Sequence, residues 1–174
     1  MKIKVKLLDP ICEIAPNKKG EWIDLRARNY TWLNGPLIEM PTKAKGKELP
    51  LVPVTIMSTL LPLGVAMKLP KYFEANVLPR SSTFFNWGII MANSMGVIDS
   101  SYAGNQDEWF FNAIAMKDSH IEAGDRIAQF RIRPSQFAPW WVKLKWFFVS
   151  KIEFDYVEDL KNPNRGGHGT SGKK

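Results

Sequence analysis

The residues best equipped for chemistry lie in Gly96-Val97-Ile98-Asp99-Ser100-Ser101-Tyr102-Ala103-Gly104, where an apolar strand runs into a turn. Asp99 has two readings. A carboxylate within hydrogen-bond reach of a water can orient and deprotonate it, with the Tyr102 ring as a platform for a sugar or base. Alternatively, Asp99 caps its own turn, a common use of this residue. A second group, Pro79-Arg80-Ser81-Ser82, joins a planar fork of donors to two small hydroxyl residues that let backbone approach an anion; the alternative is a surface turn with an ordinary ion pair. In Gly124-Asp125-Arg126-Ile127-Ala128-Gln129 the amide of Gln129 stands among apolar neighbours, facing either a ligand or solvent. Asp24 sits between Ile23 and Leu25; if buried it needs a cationic partner, and Arg80 suits that role.

Other chemistries lack their residues. His120 and His168 are isolated and Cys12 is the one cysteine, so no Cys/His metal nest and no intramolecular disulfide is expected. No glycine-rich loop ends in Lys-Ser or Lys-Thr as a P-loop does.

The elements that must position these groups read as short strands. Met1-Lys2-Ile3-Lys4-Val5-Lys6-Leu7, Val142-Lys143-Leu144-Lys145-Trp146 and Ile152-Glu153-Phe154-Asp155-Tyr156 alternate with period two. Residues 109–116 are nearly all apolar, as in a strand buried on both faces. Twelve prolines and twelve glycines punctuate these runs, and no stretch sustains helical periodicity. This pattern predicts an all-β domain of the sandwich or jelly-roll type. The 174 residues, 45% hydrophobic, suffice for one core.

The net charge of +7 fits a polynucleotide or a small multiply charged anion equally well. No apolar run reaches the ~20 residues of a membrane helix, since the 56–67 segment is broken by Pro62 and Gly64. The expectation is a cytoplasmic protein without a membrane partner. After Leu160 the chain has neither core-forming residues nor acids. We expect a β domain over 1–160 and a flexible, glycine-rich arm over 161–174.

Together and in this order, the groups at Asp24, Pro79-Arg80-Ser81-Ser82, Asn93-Ser94-Met95-Gly96-Val97-Ile98-Asp99, Tyr102, Gly124–Gln129 and Arg165-Gly166-Gly167-His168-Gly169-Thr170-Ser171-Gly172 resemble the five motifs of trimeric dUTPases. The resemblance implies a jelly-roll subunit in a homotrimer with sites at subunit interfaces, and hydrolysis of dUTP to dUMP and pyrophosphate with Mg2+. It implies that Asp99 activates the water attacking the α-phosphorus and that Tyr102 packs under the deoxyribose. Asn93, Gly96, Val97 and Ile98 of a hairpin would read uracil, while Arg80, Ser81, Ser82 and Gln129 would contact phosphates. Asp24 would support Arg80 or metal-bound water, the metal riding on the triphosphate without direct protein ligands. The arm would fold over a neighbouring subunit's site, with Arg165 on the γ-phosphate and His168, Gly169, Thr170 and Ser171 around the nucleotide.

The chain departs from the pattern in places. Glu21-Trp22 replace the usual Ala-Gly before Asp24, and Ser101 and Asn105 stand where acids are usual. Asn86-Trp87 precede Gly88 where a basic residue is usual. His168 takes the place of a stacking phenylalanine, which would make closure pH-sensitive near a pKa of about 6.5. The 134–160 segment is unusually aromatic; its rings are expected in the core or a trimer interface, with a protein-binding patch as the alternative. Two other functions compete: a dCTP-deaminase-like enzyme of the same fold, and a non-catalytic basic β module binding nucleic acid or a regulatory protein. The closing arm argues against the deaminase, and ammonia release from dCTP would reveal it. Salt-sensitive polynucleotide binding without turnover would reveal the module.

Overall fold

The computed structural model describes residues 1–14, 21–38, 54–149 and 151–167. Fourteen strands, two short α-helices and one 3-10 turn (Pro10–Cys12) occur among them. The sheet that matters most for the site has the order β10-β8-β13-β2, built from β2 (Ile23–Arg26), β8 (Phe73–Pro79), β10 (Gly96–Asp99) and β13 (Arg126–Pro134), with antiparallel pairing throughout. Alternation decides which face is apolar. Ala75, Val77, Phe130 and Ile132 are buried on the core side, and the intervening Gln129, Arg131 and Arg133 face outward. A register shift between Arg126 and Ala128 lets the adjacent Ile127 and Ala128 both be buried.

The core is closed by two further sheets. One pairs β1 (Lys2–Leu7) with β7 (Val65–Lys68) antiparallel and with β14 (Glu153–Tyr156) parallel. Ile3 and Val5 are fully buried, while Lys2 and Lys4 alternate outward. The other sheet has the order β6-β11-β9, from β6 (Ser58–Pro62), β11 (Phe110–Ala115) and β9 (Ile89–Met91). Small two-stranded sheets join β3 (Thr31–Leu33) with β12 (Ser119–Ile121), and β4 (Leu37–Ile38) with β5 (Val54–Thr55). Trp109 meets Phe130 edge-on at 5.3 Å at the centre of the core. The architecture is the all-β jelly roll that the patterning and punctuation predict.

Two expectations need correction. Residues 142–146 are not a strand: they lie within helix α2 (Trp140–Phe147). Val142 and Trp146, four residues apart and so on one helical face, pack against the core. Trp146 meets Phe73 edge-on at 5.5 Å. The other rings of α2 lie on the surface of the single chain, Trp140 71% and Phe147 83% exposed, so of the places expected for them the core is not theirs. Finally, β11 is buried on one face only. Phe111, Ala113 and Ala115 point inward, while Phe110, Asn112 and Ile114 are half-buried.

Candidate active site

Asp99 ends β10, and its side chain caps its own turn, one of the two uses the sequence left open. Oδ1 accepts the Ser101 backbone N–H at 2.8 Å and the Ser101 hydroxyl at 2.5 Å, capping the turn. Oδ2 accepts from Arg165 Nη1 at 2.7 Å. Partial burial pushes the Asp99 carboxyl up. The Ser101 donors and the Arg165 guanidinium outweigh that and hold its pKa below the ordinary value. Asp99 is therefore ionised at neutral pH. A basic cleft of about 510 Å³ opens beside the turn, lined by Lys68, Lys71, Ser100, Ser101, Asn164 and Arg165 among others.

Tyr102 lies half-buried against the core, its hydroxyl donating to the Glu108 carbonyl at 2.8 Å. Burial pushes the phenol's pKa up, so the ring stays neutral. Gly167 covers the ring so closely that a Cβ there would lie 3.1 Å from the Tyr102 oxygen. A Cβ on Gly104 would likewise overlap the backbone of Asn164. Both contacts need residues without side chains.

The group that fixes this closeness went unseen in the sequence. Asp107, 1% exposed, accepts backbone N–H bonds from Gly104 at 2.7 Å, Arg165 at 2.9 Å and Gly166 at 3.0 Å. Its burial alone would raise the pKa, but these donors outweigh it and lower it. Asn105 accepts from Leu160 N at 2.9 Å and donates to Asp159 at 2.7 Å; Asn164 accepts from Gln106 N at 2.9 Å. Residues 159–166 are thus bonded to the turn that carries Asp99 in the same chain. Nothing in the order of residues announces the hold of Asp107 on Arg165 and Gly166, because those backbone groups lie 58 and 59 positions away.

The Asn93-to-Asp99 stretch is a corner rather than a hairpin. Strand β9 before it pairs with β11, and β10 after it pairs with β8. Asn93 is exposed on the corner and its amide lies 3.4 Å from the Met95 carbonyl. Gly96 is buried, Val97 exposed and Ile98 half-buried.

Arg80, Ser81, Ser82, Gln129 and Asp24 form a second cluster. Arg80 Nε bonds Asp24 Oδ1 at 2.8 Å, as the sequence suggested. Arg126 Nη1, not foreseen, bonds Asp24 Oδ2 at 3.1 Å. Fully buried Thr83 pins the intervening turn, accepting from Arg80 N and donating to Ile127 O at 2.7 Å. That leaves Ser81 exposed and Ser82 half-buried at the start of helix α1 (Thr83–Trp87). Gln129 is half-buried and donates to the Pro79 carbonyl at 3.1 Å. His168, Gly169, Thr170 and Ser171 lie outside the described residues.

The two clusters occupy opposite corners of one outward sheet face. Register aligns Asp99 with Glu74, and Asp24 with Gln129 and Leu78. The separation is three strand spacings across and four residues along, about 20 Å in all. A single chain therefore holds a carboxylate–phenol half-site and an arginine–hydroxyl half-site too far apart to share one reacting phosphate.

The described residues contain no group of three His, Cys, Asp or Glu side chains placed to hold a metal. Asp24 is the carboxylate of the arginine–hydroxyl corner; each of its oxygens keeps a second lone pair beyond its arginine. That donor set suits a hydrated cation carried by an anionic ligand. No helix among the described residues is long and apolar enough to cross a membrane.

Comparison with known proteins bears on the family and the fold. The family model described as dUTPase matches residues 48–136. The chain is 44% identical over 175 residues to the SPbeta prophage-derived deoxyuridine 5'-triphosphate nucleotidohydrolase YosS of Bacillus subtilis (strain 168), covering all of both chains. It is 35% identical over 114 residues to the deoxyuridine 5'-triphosphate nucleotidohydrolase of Wolbachia pipientis subsp. Culex pipiens, covering 66% of this chain and 67% of that protein. Its fold is similar to the crystal structure of dUTPase from Streptococcus mutans, with TM-score 0.61 and 20% identity over 78% of this chain and 98% of that one. A mutant dUTPase from phage phi11 of S. aureus, described with a structural Mg(II) ion, gives TM-score 0.56 and 15% identity over 76% and 90% of the two chains.

Proposed function

The chain belongs to the dUTPase family, and on that premise we propose how its residues carry out the hydrolysis of dUTP to dUMP and pyrophosphate. The observation that carries the mechanism is the ionised Asp99 carboxylate, fixed by Ser101 beside the Tyr102 ring. Asp99 takes a proton from a water, and that water's oxygen attacks the α-phosphorus. The bond to the bridging oxygen breaks and pyrophosphate leaves. The pinned carboxylate supplies orientation as well as basicity.

The phenol ring supports the deoxyribose, and its closeness to backbone leaves no space for a ribose 2'-hydroxyl. Asn93, Gly96, Val97 and Ile98, on the corner leading to Asp99, present backbone groups and one amide to the uracil edge. Arg80, Ser81, Ser82 and Gln129 bind phosphate oxygens of a nucleotide whose base sits on another copy's Asp99 corner. The separation of about 20 Å across one sheet face supports this division. A heterologous contact repeated around a closed ring brings unlike corners together three times in a homotrimer. Asp24 holds Arg80 in place and would be the carboxylate that receives hydrated Mg2+ carried by the triphosphate. When bound to the triphosphate, the ion neutralises charge on its oxygens. Arg165 leaves Asp99 for the γ-phosphate, and His168, Gly169, Thr170 and Ser171 complete the enclosure.

The deciding experiment follows pyrophosphate and ammonia separately with dUTP, dTTP, dCTP and UTP, for the natural chain and for Asp99→Asn. Pyrophosphate from dUTP alone, reduced about a thousandfold in the variant with nucleotide binding retained, is the expected result. Undiminished turnover by Asp99→Asn overturns the mechanism, and ammonia from dCTP overturns the activity.

A further inference from the structure

The α2 helix carries a surface that the hydrolysis of dUTP does not use. At about 100° per residue, Trp140, Trp141, Leu144, Phe147 and Phe148 fall within one arc of about 120°. All five are more than half exposed. Val142 and Trp146 lie on the opposite side and rest on the core, so the apolar arc is held outward by the fold. Lys143 and Lys145 flank the arc, one on each side; both are exposed, and neither has an ion-pair partner among the described residues. Phe137, 85% exposed, extends the patch just before the helix. From 134 to 151 the sequence contains Lys143, Lys145 and Lys151 and no acid.

We propose that α2 is an in-plane anchor that docks this protein on an anionic lipid surface. The arrangement fits a layer whose apolar interior begins beneath a charged boundary. Indole and phenyl rings enter at headgroup depth, and the lysine stems run along the apolar edge with their ammonium groups at the phosphates. No spanning segment is required for a helix lying in the surface. Other occupants fit less well. A polynucleotide calls for cations along the contact, whereas here cations occupy only its margins. Pairing α2 with α2 of a second copy would bring Lys143 and Lys145 toward their counterparts. A helix of eight residues binds weakly alone, and several copies in one assembly engage together.

The test uses the full chain with sedimenting vesicles of phosphatidylglycerol mixed with phosphatidylcholine, against phosphatidylcholine alone. Expected are co-sedimentation with the anionic vesicles, a blue shift of tryptophan emission, and weakening as salt is raised. Trp140→Ser with Phe147→Ser should abolish binding. Lys143→Gln with Lys145→Gln should weaken it about thirtyfold. Hydrolysis of dUTP should be unchanged in both variants, which distinguishes a folded protein that no longer docks from a misfolded one. Failure to sediment, or equal sedimentation with neutral vesicles, overturns the proposal. So does a fall in particle mass by light scattering in the ring variant, which would make the patch a contact between copies. Capture of an oligonucleotide, lost in the same variants, would overturn it too.

Discussion

Arg165 meets Asp99 through a 2.7 Å contact in which both side chains are about half exposed, 49% and 50%, whereas the backbone of the same Arg165 is tied to Asp107, which is 1% exposed. The exposed ion pair contributes only about 0.5 kcal/mol. Hydrogen bonds to a charged, buried acceptor contribute about 1.5–3 kcal/mol each. Asp107 is thus the fixed attachment, and the guanidinium contact is the one a triphosphate can replace.

Replacing Asp107 by Asn should therefore free the segment without touching Asp99, the proposed base. The exchange of the Arg165 and Gly166 amide hydrogens should accelerate roughly ten- to hundredfold, read by hydrogen exchange. Turnover of dUTP should fall while the particle mass stays constant. Gly104→Ala should act similarly, since its new methyl group meets Asn164. Unchanged exchange in both variants would show that Asp107 does not hold the segment.

The pH dependence follows from the depressed pKa of Asp99. An acid whose folded pKa lies below its unfolded value contributes stability that is fully present above the unfolded value, near 3.9. That contribution is lost as pH falls through the folded value. The acidic limb of kcat/KM in the free enzyme should therefore lie below about pH 4 as far as Asp99 is concerned. In Arg165→Ala one lowering influence is gone, and the Asp99 carboxyl should titrate at higher pH. NMR titration of its carboxyl carbon checks the direction.

Asp24 serves two arginines at once. Asp24→Asn leaves both guanidinium groups without a counter-charge, and Arg80 is only 23% exposed at its side chain. Partial exposure reduces the cost of a broken buried pair to roughly 2–3 kcal/mol. Urea denaturation should show a lowered midpoint with an unchanged slope. KM for dUTP should rise through the loosened Arg80.

Cys12 is buried, and its burial, together with the neighbouring Asp9 and Glu108 charges, pushes its thiol pKa up to about 11. Maleimide or a disulfide reagent should leave the folded protein unmodified at neutral pH and label one thiol once it is unfolded. Fast labelling of the native chain would contradict this placement.

How much was legible follows from what kind of signal each feature leaves. Strands β1 and β14 are announced by the alternation over 1–7 and 152–156, and the Asp24–Arg80 pair follows from a carboxylate lodged between two apolar residues. Helix α2 was hidden because Val-Lys-Leu-Lys-Trp satisfies two periods at once. Val142 and Trp146 match a strand face, but four residues apart they also match a helix face, and packing on Phe73 favours the helix. The corner at Asn93 was expected as a hairpin from the family resemblance, whereas β9 pairs with β11 and β10 with β8. Arg126 and Asp107 act through partners distant in the chain, which no local spacing displays.

The register of β8 has a genetic corollary. With Asp99 at one end of the sheet and Arg80 at the other, a chain crippled at the first position keeps a sound second, and the reverse. Co-expressing Asp99→Asn with Arg80→Ala should yield hybrid particles in which one damaged parent lends the other its intact corner, so that two inactive alleles together restore growth-supporting enzyme.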